Sequence, residues 1–213
     1  MTDTVDYSVL DIPEFHSIIF YPRPDWSAPP PGASDHTIPV GDGVAVAGRY
    51  YPSPHSIATI LFFHGNGEVA SDYDDIAPLY HKLGASLFVA DYRGYGRSNG
   101  SPSFASMASD AHKALDYVRT LVGKPQDGGA LFVMGRSLGS HSAIELASCR
   151  AAGLRGRILE SGFAHVSRLL KYHAPPQAVP KLEEFENGIE ARVKAITLPV
   201  LVVHGEEDTL VPP

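Results

Sequence analysis

Cysteine is almost absent. Cys149 stands alone among 213 residues, so no internal disulfide can form, and a reducing compartment fits. Without an acid or base signature of its own, it reads as a small buried apolar residue. Basic runs are missing too: net charge is −7 and Lys and Arg form no block, which argues against nucleic acid as a partner. No apolar stretch nears the roughly 20 residues that cross a bilayer. The N-terminus, MTDTVDYSVLDIPEF, is acidic and interrupted by Pro13, unlike a secretory signal. A cytoplasmic protein with no membrane span is the expectation. The 10 histidines are scattered and lack metal-ligand spacing, so no metal or other cofactor is expected.

What remains is a chain with 44% hydrophobic and 19% charged residues, enough for one domain with a large core. Residues 1–35 read as an N-terminal arm. Its segment YPRPDWSAPPPG, 21–32, favours an extended path, anchored by Ile18, Phe20, Tyr21 and Trp26. Residues 36–213 read as one domain. From His36 to Tyr51 the pattern alternates around Gly41-Asp42-Gly43, the mark of a hairpin. Four nearly continuous apolar runs follow, Ala58 to Phe63, Ser86 to Ala90, Ala130 to Met134 and Val200 to Val203, with a weaker one from Gly156 to Leu159. Helical stretches separate them, at about 71–83, 103–121, 138–152 and 183–195. Strand alternating with helix predicts an α/β fold: a mostly parallel sheet covered on both faces, with the hairpin at one edge. Ligands then bind beyond the carboxyl ends of the strands, where polar, glycine-rich turns recur.

One of these turns has the context that gives it meaning. Gly135-Arg136-Ser137-Leu138-Gly139 lies between an apolar run and a helix; strand, sharp turn and helix together would lift the Ser137 hydroxyl clear of the sheet. The backbone N–H groups of Asn66 and Leu138 are placed to form an oxyanion hole. His64 reads as a brace for its own loop. Glu68, Asp72, Asp74 and Asp75 read as decoration of a helix start, not as a metal cluster. Asp208 follows the last apolar run, where a carboxylate can orient an imidazole. Spacing alone leaves Glu206 and Glu207 open, and Glu160, after the preceding strand, is a second candidate for the acid.

Four motifs in order, HGNG at 64–67, DYRGYGRS at 91–98, GRSLG at 135–139 and HGEEDTLVP at 204–212, resemble those of the α/β-hydrolase superfamily. The likeness is strongest to serine hydrolases with a small cap, esterases and thioesterases among them, the cap here falling at about 162–197. The resemblance implies Ser137 as nucleophile, Asp208 as acid, Asn66 and Leu138 as oxyanion donors, and 91–98 as a structural loop. It implies a small-molecule ester or thioester as substrate.

The same resemblance exposes a gap. The family order is nucleophile, acid, then histidine on a loop after one further strand, yet all 10 histidines precede Asp208. His141 is one helical turn beyond Ser137 and should point along the helix. His165 and His173 lie in the cap region, and His204 reads as a brace. The expectation is that the base lies beyond Pro213, in a longer protein whose last strand and helix cover an otherwise bare sheet edge. The rival reading is a non-catalytic, hydrolase-like module that binds a ligand or partner.

Overall fold

The computed structural model describes residues 5–123, 129–148, 153–163, 165–167, 181–209 and 211. Seven strands form one sheet in the order β1-β2-β4-β3-β5-β6-β7. They are β1 (Ser34–Gly41), β2 (Val44–Tyr51), β3 (Ala58–Phe63), β4 (Ala85–Ala90), β5 (Ala130–Arg136), β6 (Leu154–Glu160) and β7 (Val200–Val203). The hairpin of β1 and β2 is antiparallel and joins β4 in antiparallel fashion. From β4 onward every pairing is parallel. This is the α/β-hydrolase architecture that the alternating pattern predicts.

Continuous apolar strands sit where both faces are covered. All six residues of β4 are buried, and so are five of the six in β3. After α1 (Pro13–Ile19) and the short α2 (Ala77–Lys82), the longer α3 (Phe104–Val122) and α4 (Ser140–Ser148) pack on the sheet, and α5 (Leu182–Ala195) packs on α4. Helix α3 begins where Ser103 accepts from the Ser106 N–H at 3.0 Å, satisfying one orphan donor of the first turn. Asp11 accepts from Phe104 N and Ala105 N at 2.7 and 3.1 Å, so the N-terminal segment completes that cap. β7 lies at the far edge and is 43–61% exposed across Val200, Leu201, Val202 and Val203.

Two helical expectations need correction. The stretch at 71–83 is not one helix but a 3₁₀ turn, Ala70–Tyr73, followed by α2. Asp74 keeps helical dihedrals at the end of the 3₁₀ turn, but the Ala70 carbonyl, which would accept its N–H in an α-helix, is taken by the Tyr51 hydroxyl at 2.7 Å. The stretch from 138 opens as a 3₁₀ turn, Ser137–Gly139, before α4 begins; residues 149–152, with Cys149, lie outside the described residues.

The arm is held differently from the expected apolar anchoring. Phe20 is buried, but the Tyr21 and Trp26 rings are 61% and 71% exposed. Charged side chains grip its backbone and acids instead. Arg49 donates to the Ser27 carbonyl at 2.8 Å, Arg97 to the Trp26 carbonyl at 3.0 Å, and Ser71 to Asp25. The Ser71 bond brings the Asp25 carboxyl down to about 2.

Candidate active site

Ser137 sits at the carboxyl end of β5 with φ of +49°, a left-handed conformation that costs a non-glycine residue energy and persists only where its surroundings enforce it. The flanking glycines show the enforcement. A Cβ on Gly135 would lie 2.3 Å from the Gly139 carbonyl oxygen, and one on Gly139 would lie 2.1 Å from the Phe63 carbonyl oxygen. No other residue fits at either position without backbone movement. The second contact also presses the turn against the end of β3, so the 64–68 loop and the start of α4 share one corner. Neither Ser137 Oγ nor the Asn66 and Leu138 N–H groups has a hydrogen-bond partner among the described residues. Ser137 itself is half-buried.

The 64–68 loop is braced from below and from its flank. Glu68 folds back beneath it, accepting from Gly65 N at 2.8 Å and from the Tyr73 hydroxyl at 2.7 Å. Arg136 Nη1 lies 3.3 Å from Glu68 and its Nε 3.7 Å from Glu160. Burial works against the Arg136 charge, but the two carboxylates outweigh it and raise its pKa. Glu160 therefore stands in the strand-end ion-pair network beside Ser137. Glu68 is not helix decoration but a loop support, and Asp72 and Asp74 pair with Arg23 and Arg49.

The described histidines fall into separate roles. His64 is fully buried; its Nδ1 is 2.8 Å from the Gly65 carbonyl, and its Nε2 is 3.2 Å from Asp91 but off the hydrogen-bond direction. Its own carbonyl accepts from the Tyr92 hydroxyl at 2.6 Å, which ties the loop to the 91–98 segment. His141 is buried against Phe104, Phe163 and Phe185, and neither ring nitrogen has a partner; desolvation drives its pKa down to about 4. His165 has Nδ1 3.4 Å from Glu186 and Nε2 2.9 Å from Glu190, both on α5. His173 lies outside the described residues. His204 Nε2 is 2.5 Å from the Val211 carbonyl.

Asp208 follows β7, in the turn closed by its own N–H to the Gly205 carbonyl at 3.2 Å. One carboxylate oxygen accepts from Val211 N at 2.8 Å, and the other is 3.7 Å from His204 Nε2. β7 is two strands from β5, roughly 10 Å across the sheet. Glu206 and Glu207 in the same turn are exposed.

A mostly parallel sheet with a strained, glycine-flanked serine at a strand-to-helix turn defines an α/β hydrolase. The comparisons narrow the class: the chain belongs to the family described as serine aminopeptidase S33 (Hydrolase_4), whose model matches residues 54–186. Among curated proteins it is 31% identical over 194 residues to an uncharacterised protein of Mycobacterium tuberculosis, covering 90% of this chain and 67% of that one. It is 32% identical over 203 residues to a lysophosphatidylserine lipase of Danio rerio, covering 83% of this chain and 51% of the lipase. The chain thus spans about half the length of that lipase. Among solved structures, an esterase of Pyrococcus furiosus superposes with a TM-score of 0.69 at 20% identity, over 92% of this chain and 80% of that one.

Residues that sequence reasoning missed are Arg136, Tyr21 and Arg23. Arg136 was visible as the variable residue of the G-x-S-x-G motif, yet nothing local marks it as the link between Glu68 and Glu160. Tyr21 and Arg23 reach the 64–68 loop from more than 40 positions away, and no periodicity signals such a contact.

Proposed function

We propose that the chain is a serine hydrolase that cleaves carboxylic ester or thioester bonds. Ser137 attacks the acyl carbon, and the N–H groups of Asn66 and Leu138 stabilise the tetrahedral oxyanion. The leaving alcohol or thiol departs with a proton, and water then hydrolyses the acyl-enzyme. Asp208 is the carboxylate that orients the imidazole base of this scheme. The observation that carries the reading is the conformation of Ser137: a left-handed serine between two glycines that have no space for a side chain. Backbone strain of this kind is retained where it positions a reacting group. The Pyrococcus furiosus protein is named an esterase and the Danio rerio protein a lipase, which supports the same bond type.

The test is covalent labelling with a fluorophosphonate, comparing the protein with its Ser137→Ala variant. Labelling of the parent and its loss in the variant are expected. Equal labelling of both overturns the assignment of the nucleophile.

A further inference from the structure

We propose that the N-terminal arm is a positioning element of the hydrolytic site: through Tyr21 and Arg23 it holds the 64–68 loop in the conformation that presents the Asn66 N–H. This rests on the reading of Asn66 as an oxyanion donor. The apex of that loop is Asn66-Gly67, with Gly67 in the left-handed region at φ of +74°. Glu68 supports the base of the loop through Gly65 but leaves the apex free.

The apex is held by the arm and by Tyr95. The Tyr21 N–H donates to Asn66 Oδ1 at 3.0 Å and to the Tyr95 hydroxyl at 2.9 Å, and that hydroxyl donates to Asn66 Oδ1 at 2.8 Å. These three groups close a triangle around the Asn66 side chain. Arg23 Nε donates to the Gly67 carbonyl at 2.9 Å, and its Nη2 engages both carboxylate oxygens of Asp72. Hydrogen bonds between Arg23 and Gly96 at 2.9 Å and between Asp25 and Gly96 at 3.2 Å secure the arm just beyond. The Gly67–Glu68 peptide and the Asn66 side chain are therefore held by a segment 44 and 45 residues earlier. An oxyanion donor must be aimed before reaction to be effective, and small misplacements of a catalytic group are costly.

A purely structural clamp would behave differently. The Arg23 and Asp72 side chains are 45% and 39% exposed, and exposed ion pairs add little to stability. Losing Arg23 should therefore slow the reaction with little effect on unfolding. In the whole protein, Arg23→Ala should lower kcat for p-nitrophenyl butyrate roughly tenfold, leave KM within about twofold, and slow fluorophosphonate labelling in parallel. Amide hydrogen exchange across 65–68 should accelerate roughly tenfold in the same variant. Asn66→Ala removes the acceptor of the Tyr21 N–H and should produce the same signature. The double variant should cost less than the product of the two singles, because both act through one coupling. Trp26→Ala, a change to an exposed ring that does not touch the loop, should alter none of these readings.

Three outcomes overturn the proposal: unchanged exchange in Arg23→Ala, an unchanged kcat, or a kcat loss that merely follows a fall in Tm. A parent protein that neither hydrolyses the ester nor labels at Ser137 overturns the reading of Ser137 itself, and the arm's catalytic role with it. The two failures are thus distinguishable.

Discussion

His141 offers a direct test of how helix α4 is packed. The ring is 2% exposed, with ring centroids 5.5 Å from Phe104 and 4.9 Å from Phe163 in edge-on geometry. With no partner at either nitrogen among the described residues, a charged imidazole there would be buried among apolar rings without compensation. Its pKa accordingly falls from 6.5 to about 4. In the unfolded chain the same group titrates near 6.5, so between these values the unfolded state binds more protons. Stability is full above pH 6.5 and is lost as pH falls toward 4. Integrating from pH 7.5 to 5 gives a loss on the order of 2 kcal/mol from this residue alone.

The perturbation is His141→Phe, which keeps an aromatic ring and removes the titration. Any overpacking cost is independent of pH. The lowered pKa values of His36 and His112, both due chiefly to burial, are common to the two proteins and cancel in the difference. Urea unfolding followed by circular dichroism at pH 7.5 and 5 gives the two free energies for each protein. The difference between variant and parent should move in the variant's favour by about 2 kcal/mol as pH falls. A difference that stays constant across this range would refute the reasoning, and would mean that His141 finds a proton partner or reaches solvent. The second result would also reopen its candidacy as a base.

Two further changes follow from the ion-pair and acid assignments. Asp208→Asn should leave the fold intact and lower ester turnover by about 10³–10⁴-fold, whereas Glu160→Gln should have a small effect; steady-state kinetics on both variants decides between the two carboxylates, and the reverse ranking moves the acid to β6. Arg49→Met removes a guanidinium, only 4% exposed, that lies 2.6 and 3.0 Å from Asp35 and Asp74, leaving Asp35 with Arg97 and Asp74 with the Tyr51 hydroxyl; chemical denaturation should show a loss of about 1.5–3 kcal/mol, and a loss below about 0.5 kcal/mol would mean that both carboxylates relax into water.

The strands were legible because their cause is local. A nearly continuous apolar run, as in β3 with Ile60, Leu61, Phe62 and Phe63, can be satisfied only by burial on both faces, and the parallel order follows from the helices between them. Ser137 was legible for the same reason: a glycine-serine-glycine turn, a strand before it and a helix after it are all contained within about a dozen neighbouring positions. The split of the 71–83 stretch was not legible, because the Ala70 carbonyl that would carry an α-helix onward accepts instead from the Tyr51 hydroxyl, 19 residues earlier. The exposed rings of Tyr21 and Trp26 mislead similarly. In sequence they look like anchors, but the arm is fastened by guanidinium and hydroxyl groups whose targets are backbone carbonyls and acids far along the chain.

This division has a physical consequence for the site. The serine turn is specified by its own glycines, so its conformation should survive changes elsewhere. The loop that must meet it is specified by distant partners: Arg136 through Glu68 on one side, Tyr21 and Arg23 on the other. Those partners act on different atoms. Glu68 fixes the Gly65 N–H at the base, and the arm fixes the Asn66 side chain and the Gly67 carbonyl at the apex. A donor between a rigid base and a rigid apex loses little freedom when substrate arrives, and that saving is available to the transition state. The serine turn and the 64–68 loop therefore differ in where their geometry is encoded, and the loop is the part through which remote substitutions should reach the proposed chemistry.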